Sequence, residues 1–141
     1  MKLSAFNYGA NAVCFIKNEK KYGMICAWAM QADYDKILLM LGAQSITGKN
    51  IAKGDIIGVS SLNEHQQNIV DALGFSHSDN NDKFTNIQYT IKDSAILIDG
   101  ASNEMIIEVT DVLHLEGIEE DYLVYGVVKL AKSNETKKYT L

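Results

Sequence analysis

Four β-rich runs follow one another in the second half of this chain with only short connections between them: Ile87-Tyr89-Ile91, Ala95-Ile96-Leu97-Ile98, Glu104 to Leu115, and Tyr122 to Leu130. The first half adds Ala12-Val13-Cys14-Phe15-Ile16-Lys17, a polar turn at Asn18-Glu19-Lys20-Lys21, and a second strand from Tyr22 to about Ala29, which together read as a hairpin. Two further apolar runs, Lys36 to Leu41 and Asp55 to Ser61, bracket a segment with helical spacing from Ser45 to Lys53. Glu64 to Leu73 reads as a helix with Ile69, Val70 and Leu73 on one face and Gly74 as its stop. A polar loop, His77 to Asp82, follows it. Strands linked mainly by turns, with only two or three helices inserted, favour a closed antiparallel barrel over a doubly wound sheet, which needs regular strand–helix alternation. The expected class is mainly β (α+β).

At 141 residues, with no proline, no repeat and no low-complexity segment, the chain reads as one domain over 1–141 with a core of useful size. Its net charge of −5 and short basic pairs, Lys20-Lys21 and Lys137-Lys138, give no track for a phosphate backbone, so nucleic acid is excluded as the expected partner. No apolar stretch approaches the roughly 18 residues of a membrane span, and Met1-Lys2-Leu3-Ser4-Ala5-Phe6 leads into no apolar signal region. A soluble, cytoplasmic protein is expected. Cys14 and Cys26 lack redox-pair or zinc spacing and read as two buried reduced thiols on neighbouring strands. His65, His77 and His114 are scattered, so no metal is expected.

Two features bear on ligand binding. Ser45 and Thr47 stand at a helix start, where free N–H groups and the positive end of the macrodipole favour an anion, with Lys49 adding charge. The same residues also serve plain N-capping. In the second strand, Ile25, Ala27 and Ala29 share one face, with Met24, Cys26 and Trp28 on the other. Two alanines let a flat ring approach the backbone, or fill a tight barrel interior; Trp28 by itself reads as a core anchor.

Three pieces in order carry a resemblance: Tyr22-Gly23-Met24-Ile25-Cys26-Ala27-Trp28-Ala29, then Gln44-Ser45-Ile46-Thr47, then Asp82-Lys83-Phe84. Together they resemble the flavin reductase-like family of FMN-binding split β-barrels, over nearly the whole chain. Gly23, Met24 and Trp28 match the family's Asn-Gly-Met-Thr-Ala-Ser-Trp-like strand, whereas Tyr22, Ile25 and Ala27 replace its polar Asn, Thr and Ser. Tyr34-Asp35 stands where the family has a Pro-Pro pair.

The resemblance implies a split antiparallel β-barrel with a few inserted helices, FMN as cofactor, and a homodimer with the flavin in a groove between subunits. Cys26, Ala27, Trp28 and Ala29 would meet the ring, Gln44, Ser45, Thr47 and Lys49 the phosphate, and Lys83 and Phe84 the charge and face of the flavin. His77 is the one histidine near that site, a candidate proton donor. The resemblance implies an FMN oxidoreductase, with which the lack of a Gly-x-Gly-x-x-Gly fingerprint and of a catalytic triad is consistent. It would take electrons from NAD(P)H and pass them to free flavin, a protein carrier or oxygen. The alternatives are a flavoredoxin-like electron-transfer protein reduced by a partner protein, and a split barrel that has lost flavin.

Overall fold

The computed structural model describes residues 3–42, 45–74, 83–118 and 121–141. The chain runs β1 (Asn11–Lys17), β2 (Lys20–Cys26), β3 (Ala29–Asp33), β4 (Lys36–Gly42), α1 (Ile46–Lys49), β5 (Ile56–Ser61) and α2 (Gln67–Gly74). It continues through β6 (Tyr89–Lys92), β7 (Ala95–Ile98), β8 (Asn103–Leu113) and β9 (Asp121–Ser133). Every strand pairing is antiparallel.

Alternation in β1 decides the architecture. Val13 and Phe15 point to one face and Ala12 and Cys14 to the other, and all four are buried, so both faces of this strand are covered. The first face looks into the barrel, where Val13, Phe15, Leu39, Leu41, Ile57 and Ile107 pack together and Phe15 stacks on Tyr22 with ring centroids 5.2 Å apart. Burying each of these large side chains contributes about 1.5–3 kcal/mol. The second face meets α2 through Ile69, Val70 and Leu73, together with Ile96 and Ile98 of β7.

The sheet runs β3-β4-β9-β8-β5-β1, with β2 on the other side of β1. Because β2 pairs with β1 while β3 pairs with β4, the bent run from Lys20 to Asp33 closes the sheet into a barrel. The bend falls at Ala27-Trp28, where Met40 N donates to Trp28 O at 2.9 Å. β1 is also where the barrel splits: Asn11 to Cys14 pair with β5, but Phe15 pairs with Ala95 of β7. At that fork β7 crosses so close to β5 that a Cβ on Gly58 would lie 2.0 Å from Ile96 O. The β1–β2 turn places Asn18 and Glu19 at φ 52° and 64°, the left-handed pair whose twist matches a two-residue hairpin. The carboxy-terminal tail straps the barrel's open end: Tyr139 N donates to Leu62 O at 2.9 Å and Leu141 N to Tyr8 O at 2.8 Å.

Three expectations change. The strand expected from Tyr22 to Ala29 divides at the bend into β2 and β3. The helix expected over Ser45–Lys53 is the single turn α1, and α2 begins at Gln67. There Asn63 Oδ1 accepts from His65 N at 2.8 Å, making a local turn of the residues before it. Cys14 and Cys26 are free and buried, as expected, but they belong to the outer and inner clusters respectively, on opposite faces of the sheet. Burial pushes both thiols up to about 12. Among the described residues no group of three or more His, Cys, Asp or Glu is placed to hold a metal ion, and no helix is long and apolar enough to cross a membrane.

Candidate functional site

The middle of β2 gathers residues from two distant parts of the sequence. Ser45 is the N-cap of α1: its hydroxyl accepts from Gly48 N at 3.3 Å and donates to Met24 Sδ at 3.3 Å. Next door, Lys83 Nζ donates to Gly23 O at 3.0 Å and to Leu73 O, in the last turn of α2, at 3.2 Å. A cation at a helix C-terminus is favoured by the dipole and satisfies an otherwise orphaned carbonyl. Gly23 leaves room for this junction, since a Cβ there would meet the Phe84 ring at 2.7 Å. Ser45 and Lys83, 38 positions apart in sequence, thus flank the adjoining residues Met24 and Gly23.

The remaining expected site residues divide. Lys49 is exposed in the last turn of α1, whereas Thr47 is buried, with 1% of its surface exposed, so its hydroxyl faces protein rather than solvent. Phe84 is also buried and meets Tyr89 edge-on at 5.4 Å, which makes it a packing residue of the outer cluster. With α1 only one turn long, the dipole that a longer helix would direct at a phosphate is small. Gln44 and His77 lie outside the described residues.

Beyond Met24 the strand face alternates as expected through Cys26, whose thiol donates to Trp28 O at 3.4 Å and Met40 O at 3.6 Å. Then it bends. Trp28 is 56% exposed, with its ring centroid 6.4 Å from that of Tyr8, and is therefore no core anchor. At the bend the N–H groups of Ala27 and Trp28 have no hydrogen-bond partner among the described residues, while Ala29 N donates to Ala27 O at 3.1 Å. Ala27 and Ala29 line a cavity of about 400 Å³ at the mouth of the barrel. Its walls include Tyr8, Asn11, Gln31, Asn103 and Lys138, none of which the sequence marked as a site residue. They come from four separate stretches of chain, with no motif to mark them.

These residues fit a flavin at its ring end and partly at its phosphate end. Two N–H groups without a partner among the described residues, beside two alanines, offer a flat acceptor-rich ring both room and donors. From Met24 to Ala29 the chain spans at most about 18 Å, a length suited to a ring, a ribityl chain and a phosphate laid along it. At the far end stand the Ser45 hydroxyl, the exposed Lys49 and Lys83.

No protein-family model and no curated protein matches the sequence. Solved structures do match. The NADH:FAD oxidoreductase of Streptomyces globisporus superposes with a TM-score of 0.85 at 17% identity, over 96% of this chain and 81% of that one. A second structure of that protein is in complex with NAD and FAD fragments. Flavoredoxin from Methanosarcina acetivorans gives a TM-score of 0.79 at 14% identity, over 96% and 75% of the two chains. An FMN-binding protein from Thermus thermophilus gives 0.80 at 16% identity, over 93% and 74%. The closed antiparallel sheet, the forked first strand and these superpositions make the fold of this chain that of the flavin reductase-like, FMN-binding split β-barrels.

Proposed function

We propose that this chain binds FMN along the run from Met24 to Ala29 and works as an oxidoreductase, receiving electrons from NAD(P)H and delivering them to free flavin, a protein carrier or oxygen. The observation that carries this reading is the placement of Ser45 and Lys83 against Met24 and Gly23 at one end of the run, with the Ala27 and Trp28 N–H groups, which have no partner among the described residues, at the other. FMN, when bound, supplies the hydride and electron transfer. The protein's own part is to bind and orient. The Ala27 and Trp28 N–H groups hold acceptor atoms of the ring, the small Ala27 and Ala29 side chains admit its face, and Trp28 covers an edge. Lys49 and Lys83 place positive charge near the phosphate end.

A flavoredoxin-like role, with a protein partner in place of the nicotinamide, has a specific observation in its favour. Among the described residues the cavity beside Ala27 and Ala29 has one cationic lining residue, the exposed Lys138, which is little to hold a dinucleotide's pyrophosphate. Exposed Trp28 and Met30, at 56% and 58%, are the apolar side chains we assign to a homodimer contact. A second apolar run, Tyr122-Leu123-Val124-Tyr125, lies in β9 with Val124 inside the barrel core. Anaerobic titration of the FMN-loaded protein with NADH and NADPH tests the reading: bleaching of the flavin band by either supports the reductase, and no bleaching by either, with reduction by dithionite intact, supports the carrier.

A further inference from the structure

We infer that Cys26 is a positioning residue of the proposed flavin site: its thiol holds the Met40 carbonyl that the Trp28 N–H would otherwise claim, and so leaves that N–H for the ring. The inference takes its ligand from the flavin reading above and its geometry from the broken end of the β3–β4 ladder.

The register of that ladder, Met30 opposite Leu38 and Ala29 opposite Leu39, continues to Trp28 opposite Met40. Half of a hydrogen-bonded pair is present there, since Met40 N donates to Trp28 O at 2.9 Å. A regular antiparallel pair of this kind exchanges two bonds, and the second would run from Trp28 N to Met40 O. That bond is absent, and Trp28 N has no partner among the described residues. Instead the Cys26 thiol reaches Met40 O at 3.6 Å and Trp28 O at 3.4 Å, its one proton shared between the two carbonyls. Met40 O thus has a donor without Trp28, as a carbonyl inside a sheet requires.

The rest of the bend turns the released N–H groups away from the sheet's own acceptors. Across a trans peptide, the carbonyl of one residue and the N–H of the next point in opposite directions. Ala29 N donates to Ala27 O at 3.1 Å, so the Trp28 N–H points to the side opposite that contact. Asn11 Nδ2 donates to Cys26 O at 3.1 Å, so the Ala27 N–H points away from β1. The thiol is a dependable donor at neutral pH, because Cys26 is 2% exposed and burial pushes it up to about 12. With alanine at this position Met40 O loses its donor, and the Trp28 N–H is the nearest replacement. The ladder then lengthens by one bond, and the ring loses a hydrogen bond.

Hydrogen exchange of individual amides, read by NMR on the full chain free of flavin, tests the geometry, and titration with FMN tests its consequence. In the wild type the Trp28 amide exchanges freely while the Met40 amide is protected. Cys26→Ala slows exchange at Trp28 by at least about tenfold and weakens FMN by about tenfold. It also makes the potential of bound FMN more negative, since a donor to the ring stabilises its reduced, electron-rich form. Cys26→Ser keeps a donor and restores all three values towards the wild type. A merely structural role would lower the melting temperature without protecting the Trp28 amide. A Trp28 amide already protected in the wild type overturns the inference with no variant needed. So does an unchanged Trp28 exchange or FMN affinity in folded Cys26→Ala, or a Cys26→Ser protein that behaves as Cys26→Ala does. Wild-type protein that binds no FMN refutes the flavin reading instead, and a gain of Trp28 protection in Cys26→Ala then still upholds the thiol's hold on Met40 O.

Discussion

Replacing Lys83 with methionine keeps the length of the side chain and removes the ammonium that donates to Gly23 O at 3.0 Å and Leu73 O at 3.2 Å. Hydrogen bonds from a charged donor are worth about 1.5–3 kcal/mol each, and an abandoned carbonyl costs more when water cannot reach it. One half-buried ammonium makes both bonds, so their worth is shared, and the expected loss is about 2–3 kcal/mol rather than the sum of two. At roughly 4 °C per kcal/mol for a domain of this size, the melting temperature falls by about 8–12 °C. Thermal and urea melts followed by circular dichroism read this directly. The same ammonium opposes the effect of burial on the Cys14 thiol, so its removal drives that thiol further up. Melting within about 2 °C of the wild type refutes the reasoning. It would mean that the ammonium does not tie β2 to α2.

Further expectations follow from the same contacts. Both cysteine thiols rise from 9.0 to about 12 on folding, so their contribution to stability is fully present below about pH 9 and is lost as pH rises towards 12; urea melts across that range should show the loss, and Cys14→Ala with Cys26→Ala should flatten it. Gly58→Ala forces a Cβ to within 2.0 Å of Ile96 O, a backbone atom, and should cost more than about 3 kcal/mol or prevent folding, as soluble yield and melting will show. Ser45→Ala removes the α1 cap and should cost about 1 kcal/mol in urea melts, while FMN affinity falls in a separate titration.

The barrel strands that were legible carry alternating burial. Val13 and Phe15 in β1, and Ile37, Leu39 and Leu41 in β4, repeat every second residue and face one interior. β3 was not legible as a strand of its own, because all five residues from Ala29 to Asp33 are exposed and its pairing with β4 leaves no apolar pattern. α1 was read as too long. Its Ser45 cap is a true start signal, but Gly48 packs against Gly42 O at a Cβ distance of 3.0 Å and the helix ends one residue later. Trp28 misled because a lone aromatic in an apolar run favours burial, whereas the bend at Ala27-Trp28 turns it outward. Of the candidate site, the resemblance grouped the Lys83 stretch with the Gly23 strand but cast Lys83 as a contact for the flavin's charge, and its bonds to Gly23 O and Leu73 O were not legible. The cavity was not, since Tyr8, Gln31, Asn103 and Lys138 converge only when the tail straps the barrel and β3 bends onto β4.

The central claim, that this barrel holds FMN along β2 and the bend that follows, is tested most directly by the visible spectrum of the purified protein before and after addition of FMN, with any bound chromophore identified after denaturation. The account predicts a flavin band near stoichiometric with protein, identified as FMN, and a perturbed spectrum for FMN added to protein stripped of it. A colourless protein that leaves the spectrum of added FMN unchanged contradicts it, and would mean that the polar groups replaced at Tyr22, Ile25 and Ala27 were required for binding.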